Sequence, residues 1–248
     1  MAHFYQRRGD RPHVDAIHSA GVRGGWQDGL VTVSIDPSVT LWSPEPREGK
    51  PLLVLLHGYG ADERDLFGLI PYLPEGIAVA AVGAPLTPPW PMPGRSWYAI
   101  DSLTTRDAVG ITTAAEALLA WLAEAAADAS SVALLGFSQG AAVSLQALRL
   151  QPSRIDAVVA LSGYAAVGEL PKDAVLQEQR PPVFWGRGTH DDVIPAGLVE
   201  HTAQWLPAHS ELSGRVYQGL THSISEQELT DVHVFLSQWK DSVEKKTA

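Results

Sequence analysis

The residues Gly136-Phe137-Ser138-Gln139-Gly140 place a serine between two glycines, each two positions away, after the apolar run Val132–Gly136 and before a helix-like run, Ala141–Arg149. That pattern fits a nucleophile elbow, a sharp strand-to-helix turn whose flanking positions must be small for the hydroxyl to stand clear. A serine hydroxyl is a weak nucleophile at neutral pH. It needs a base to take its proton and a third group to hold that base in the right tautomer. Downstream, the loop Arg187–Pro195 offers Asp191 and Asp192 side by side, and Thr221-His222-Ser223 offers His222. Serine, acid, histidine is the chain order this arrangement requires, each after a strand, and spacing alone leaves both aspartates open.

The oxyanion of such a reaction needs backbone donors aimed at the developing charge. Gln139, immediately after the serine, supplies one N–H, and Tyr59, in the loop His57-Gly58-Tyr59-Gly60, supplies the other. His57 is read as a residue bracing that loop, not as a second base.

These side chains need strands to carry them. Pro51–Leu56 is apolar throughout, as a strand covered on both faces should be, and Ile77–Val82, Ile155–Leu161 and Pro182–Gly186 read the same way. Leu30–Ile35 alternates like a strand, with Val39–Trp42 as its expected partner across the turn Asp36-Pro37-Ser38. Helical spacing is expected over Asp62–Leu73, Asp107–Ala127, Pro195–Leu206 and Glu226–Trp239, with Glu211–Tyr217 as a last strand. Strands alternating with helices predict an α/β domain with a mostly parallel central sheet and helices on both faces, over residues 26–248. Residues 1–25 read as a flexible or extended arm, whose His3, His13 and His18 lack metal-ligand spacing. The segment from Leu161 to Pro182 is too short for a large lid and reads as irregular. The proline-laden stretch Gly83–Gly94, with Trp90 and Met92, reads with Trp97 and Tyr164 as a substrate-pocket wall suited to short or medium acyl groups.

With 28 acidic and 18 basic residues the formal charge is −10, which argues against nucleic acid or an anionic membrane as the main partner. No cysteine is present, so disulfides and thiolate chemistry are excluded. A stretch long enough to span a bilayer is not evident, nor is a secretory leader, so a cytoplasmic location without stable membrane insertion is expected. No metal or other cofactor is expected, and a homodimer is compatible with the chain.

The blocks LLHGYGADERDL, GRSWYAID, GFSQGAAVSL, LSGY, GTHDDVIP and THSIS, in that order, resemble the phospholipase/carboxylesterase family of α/β hydrolases, whose members include acyl-protein thioesterases and bacterial carboxylesterases. The resemblance runs from about Gly49 to Trp239. It implies the α/β-hydrolase fold, a nucleophile at Ser138, a base at His222 and oxyanion donors at Tyr59 and Gln139. The family's D-x-V-[VI]-P block implies Asp191, not Asp192, as the acid. Tyr59 stands where thioesterase-like members often carry leucine; the donor is a backbone N–H, so this change would keep the hole and narrow the acyl entrance. The implied activity is a cofactor-free serine carboxylesterase acting on a small-molecule ester. Lysophospholipase or acyl-thioesterase action at the same site is the alternative, and a non-catalytic binding protein of this fold is a more distant one.

Overall fold

Along strand β2, Pro51–Leu56, every residue is buried, and successive side chains enter two different cores. Leu52, Val54 and Leu56 join one hydrophobic cluster, while Leu53 and Leu55 join the other. A strand alternates its side chains with period two, so a continuous apolar run is what a strand needs when helices cover both faces. The computed structural model describes residues 33–100 and 108–247.

Among these residues seven strands form one sheet in the order β1-β3-β2-β4-β5-β6-β7. They are β1 Thr40–Trp42, β2, β3 Ala78–Val82, β4 Ser131–Phe137, β5 Ala157–Leu161, β6 Pro182–Gly188 and β7 Glu211–Tyr217. Every pairing is parallel except that of β1 with β3. Helices α2, Ala108–Ala125, and α3, Gln139–Leu150, contribute Leu118, Leu122, Val143 and Leu145 to the core on one face. The other face is covered by α1, Glu63–Phe67, and α6, Glu226–Thr247, through Leu66, Val232, Phe235, Leu236 and Trp239. This is the α/β-hydrolase architecture, with no large lid among the described residues.

The chain runs from β2 to β3 on one side, then returns to β4 on the other side of β2. Open α/β sheets bind ligands at such a reversal, beyond the carboxyl ends of the strands. The loop after β2 and the turn after β4 therefore meet where chemistry is expected.

Several expectations are corrected. Val33–Asp36 form no strand, because Asp36 caps a 3-10 turn over Pro37–Val39, its Oδ1 accepting from the Ser38 N–H at 2.9 Å. Leu30–Thr32 lie outside the described residues. Thr40–Trp42 is a strand, but its partner is β3, with Leu41 opposite Ala81. The single helix expected over Asp62–Leu73 ends at Phe67, with Gly68 as its C-cap, and continues only as a 3-10 turn, Ile70–Tyr72, containing Pro71. The segment read as irregular before β6 holds α4, Asp173–Gln179. Helix α5 runs Ala196–His209, beyond the expected Leu206. The N-terminal arm 1–25 with its three histidines, and Asp107, lie outside the described residues.

Among the described residues one helix does meet the length and composition of a bilayer span: α2 has 18 residues and a mean hydropathy of 1.3. Its Ile111, Ala115, Leu118 and Leu122 are buried in the core. Covering a sheet that is itself buried on both faces explains that apolar composition.

Candidate active site

Ser138 is positioned by the turn that joins β4 to α3. Its backbone lies at φ 55° and ψ −113°, outside the regions a non-glycine residue ordinarily occupies, a conformation that costs about 1–3 kcal/mol and persists only where the surroundings enforce it. Here the enforcement is close packing. A Cβ on Gly136 would collide with the backbone of Gly140, and one on Gly140 would collide with the carbonyl of Leu56 on β2. The Ser138 N–H donates to the Leu161 carbonyl on β5 at 2.9 Å, so the turn is tied to the strands on both sides of β4.

His222 follows β7, and its ring bridges two partners. Its Nε2 lies 3.0 Å from Ser138 Oγ, and its Nδ1 lies 2.8 Å from Asp191 Oδ2. An ionised carboxylate only accepts, so Nδ1 carries the proton and Nε2 is the acceptor for the serine hydroxyl. Phe137 packs against the imidazole with ring centroids 4.9 Å apart, holding it from the side. Asp191 is on the loop after β6, and its Oδ1 accepts from the N–H groups of Val193 at 3.1 Å and Ile194 at 3.2 Å. Burial alone would raise its pKa, but the hydrogen bond and charge of His222, with the two backbone donors, hold it below the usual carboxylate value. Of the two neighbours that spacing left equivalent, Asp191 is the one bonded to His222.

Gln139 is the first residue of α3, where backbone N–H groups have no intrahelical acceptor. Near Tyr59, His57 is 1% exposed, and its Nε2 accepts from the Ala84 N–H at 3.1 Å. That fixes the proton on Nδ1, which donates to the Gly58 carbonyl at 2.7 Å. Because the peptide is planar and trans, holding the Gly58 oxygen on one side directs the Tyr59 N–H to the other. Burial lowers the pKa of His57, against the opposing influence of the Gly58 carbonyl and of Asp65, Asp62 and Glu63. The residue is a neutral brace.

Of the residues expected to line a pocket, Trp90 is 92% exposed and Met92 is 45% exposed, both on the loop 83–94. A Cβ on Gly60 would stand 3.1 Å from Met92 Sδ, so the thioether covers the loop beside Tyr59. The other two lie in the interior. Trp97 and Tyr164 are each 1% exposed: the Trp97 indole donates to the His57 carbonyl at 2.9 Å, and the Tyr164 hydroxyl is 2.7 Å from that of Tyr98. Polar ends that find partners inside let aromatic rings be buried. Among the described residues, no group of three His, Cys, Asp or Glu side chains is placed to hold a metal ion.

The side chain of Gln139 was not expected to matter. Its Oε1 accepts from the Trp97 N–H at 3.0 Å, and its Nε2 donates to the Tyr98 carbonyl at 2.8 Å. The one available signal was a long amide at the variable position after the serine of the elbow.

Comparison with known proteins gives consistent results. A family described as phospholipase/carboxylesterase matches residues 42–240. Acyl-protein thioesterase 1 of Debaryomyces hansenii is 35% identical over 121 residues, covering 48% of this chain and 50% of that protein. Esterase YpfH of Escherichia coli is 27% identical over 200 residues, 75% of this chain and 82% of that protein. The crystal structure of esterase PE8 superposes with a TM-score of 0.68 at 29% identity, covering 84% of this chain and 99% of the other. The chain spans about half the length of the first curated relatives it matches.

Proposed function

The chain belongs to the phospholipase/carboxylesterase family, and from that premise we propose that it is a serine carboxylesterase hydrolysing small-molecule esters of short to medium acyl chain. The observation that carries this reading is the pair of hydrogen bonds at His222, 3.0 Å to Ser138 Oγ and 2.8 Å to Asp191 Oδ2. Ser138 Oγ attacks the ester carbonyl as its proton passes to His222 Nε2, and Asp191 stabilises the imidazolium through Nδ1–H. The backbone N–H groups of Tyr59 and Gln139 hold the oxyanion. The imidazolium then protonates the departing alcohol, leaving an acyl-enzyme, and water activated by the same histidine releases the acid. No cofactor enters this sequence. A cytoplasmic setting without stable membrane insertion, and a homodimer, complete the proposal.

Replacing Ser138 with alanine tests it. The hydroxyl is bonded to His222, so the variant should fold while p-nitrophenyl ester turnover falls by roughly 10⁴-fold or more. Fluorophosphonate labelling should vanish with it. Retained turnover would sink the assignment.

A thioesterase reading is favoured by the names of several relatives, acyl-protein thioesterase 1 among them. The same attack cleaves a thioester, so the distinction lies in the leaving group. Matched ester, thioester and lysophospholipid substrates, together with a p-nitrophenyl series from acetate to palmitate, decide it.

A further inference from the structure

The two backbone donors assigned to the oxyanion belong to different loops, Tyr59 after β2 and Gln139 after β4. The register of β2 with β4 ends at Leu56 opposite Gly136, below both donors. Close packing of Gly140 on the Leu56 carbonyl and of Gly58 beside Phe137 brings the two loops together, and hydrogen bonds above the sheet add directional ties between them.

A third segment, Arg95–Tyr98, bonds to both loops. On the Tyr59 side, the Gly60 N–H donates to the Arg95 carbonyl at 2.9 Å, the Arg95 N–H donates to the Ala61 carbonyl at 2.8 Å, and the Trp97 indole donates to the His57 carbonyl. On the elbow side, the Gln139 side chain reaches the segment, its Oε1 accepting from the Trp97 N–H and its Nε2 donating to the Tyr98 carbonyl. Ser96 Oγ, 2.6 Å from the Tyr98 carbonyl and 3.3 Å from Gln139 Oε1, closes the cluster.

We propose that the Gln139 side chain is a positioning residue that sets the spacing of the oxyanion hole by clamping the elbow to the segment that holds the Tyr59 loop. The inference rests on the carboxylesterase reading above. The chemistry of the amide fits the task. At 2% exposure the site offers one backbone donor and one backbone acceptor, and an amide is the side chain that answers both without a charge. An ionised glutamate would face the Tyr98 carbonyl with a second acceptor, and methionine would fill the volume with neither partner. Oxyanion donors act through preorganisation, and a displacement of about 1 Å costs up to about 100-fold in rate.

The test uses the full chain as the parent, Gln139→Met and Gln139→Glu, with active sites counted by fluorophosphonate stoichiometry. For Gln139→Met, kcat per titrated site on p-nitrophenyl acetate should fall by about 10- to 100-fold, with KM changed by no more than about threefold. Affinity for a trifluoromethyl ketone, whose hemiketal oxyanion occupies the same hole, should weaken by the factor lost in kcat/KM. Gln139→Glu, which keeps the acceptor for Trp97, should lose less. Trp97→Phe removes the indole bond on the Tyr59 side and should lower kcat per site even if Gln139→Met fails to fold. A fall only in the titrated fraction or the melting temperature, with kcat per site and ketone affinity unchanged, would overturn the clamp alone. A parent inert to both ester and fluorophosphonate would overturn the clamp together with the function on which it rests.

Discussion

Asp191 and Asp192 are adjacent in the chain, yet their surroundings differ. Asp191 receives three hydrogen bonds, from His222 and from the N–H groups of Val193 and Ile194. The two backbone bonds hold Oδ1, and Oδ2 accepts from His222 Nδ1–H, which keeps the imidazole in one tautomer. Asp191→Asn offers an amide in place of that acceptor and allows His222 to turn its protonated nitrogen toward Ser138. In the proposed mechanism kcat should fall by roughly 10³- to 10⁴-fold, while Asp192→Asn stays near the parent. Steady-state turnover of p-nitrophenyl butyrate by the two variants checks this, and equal losses would remove the distinction. The pair also marks the limit of sequence reading at this scale. Two identical residue types at neighbouring positions differ only in which way the loop turns, which residue types and spacing do not display and only the resemblance of the D-x-V-[VI]-P block implied. The same limit applies to Trp97 and Tyr164, whose polar ends find buried partners far away in the chain.

At the scale of elements, β2 has the bounds its pattern predicts, because its apolar run stops where His57 and Gly58 begin. Elements whose ends depend on competition were less legible. The periodic leucines of Asp62–Leu73 describe one apolar face, but Gly68 and Pro71 break the backbone beneath it. Helix α4 is short and is held by a tertiary ion pair, Asp173 with the buried Arg149 at 2.7 Å, which no local pattern announces. Helix α6 carries a comparable surprise near its start. Glu228 is fully buried, both carboxylate oxygens lack hydrogen-bond partners, and a Cβ on Gly186 of β6 would overlap it. Burial, with the nearby charge of Asp231, pushes its pKa up to about 7. An acid whose pKa is raised on folding keeps a proton that the unfolded chain releases. Stability therefore drains as pH rises from the unfolded value of 4.5 toward 7, and the loss is complete above 7, at roughly 3 kcal/mol. Glu228→Gln cannot lose a proton. Its melting temperature relative to the parent should rise by about 5–10 °C between pH 4.5 and pH 8. A difference that does not change with pH would show that the carboxyl is not titrating in the folded protein.

For the whole molecule, the sheet order places the elbow on the central strand, β4, the loop bearing Tyr59 on its neighbour β2, and Asp191 and His222 after β6 and β7. The site is thus assembled from four separate loops along one edge of the sheet, and the net charge of the chain acts on all of them together. That charge is −10, with 28 acidic against 18 basic residues. A field of one sign reaches farther than any single contact when salt is low, extending over about 30 Å at 0.01 M ionic strength but only about 10 Å at 0.1 M. An ester carrying its own carboxylate should then be repelled from the sheet edge and relieved by salt, whereas a neutral ester of the same length should be indifferent. The matched pair is p-nitrophenyl hemiadipate and p-nitrophenyl hexanoate. From about 0.01 M to about 0.3 M ionic strength, kcat/KM should rise severalfold for the hemiadipate and stay nearly constant for the hexanoate. The opposite slope for the hemiadipate would mean that a local cation near the oxyanion loop, with Arg95 the candidate whose carbonyl already binds Gly60, outweighs the field of the whole chain.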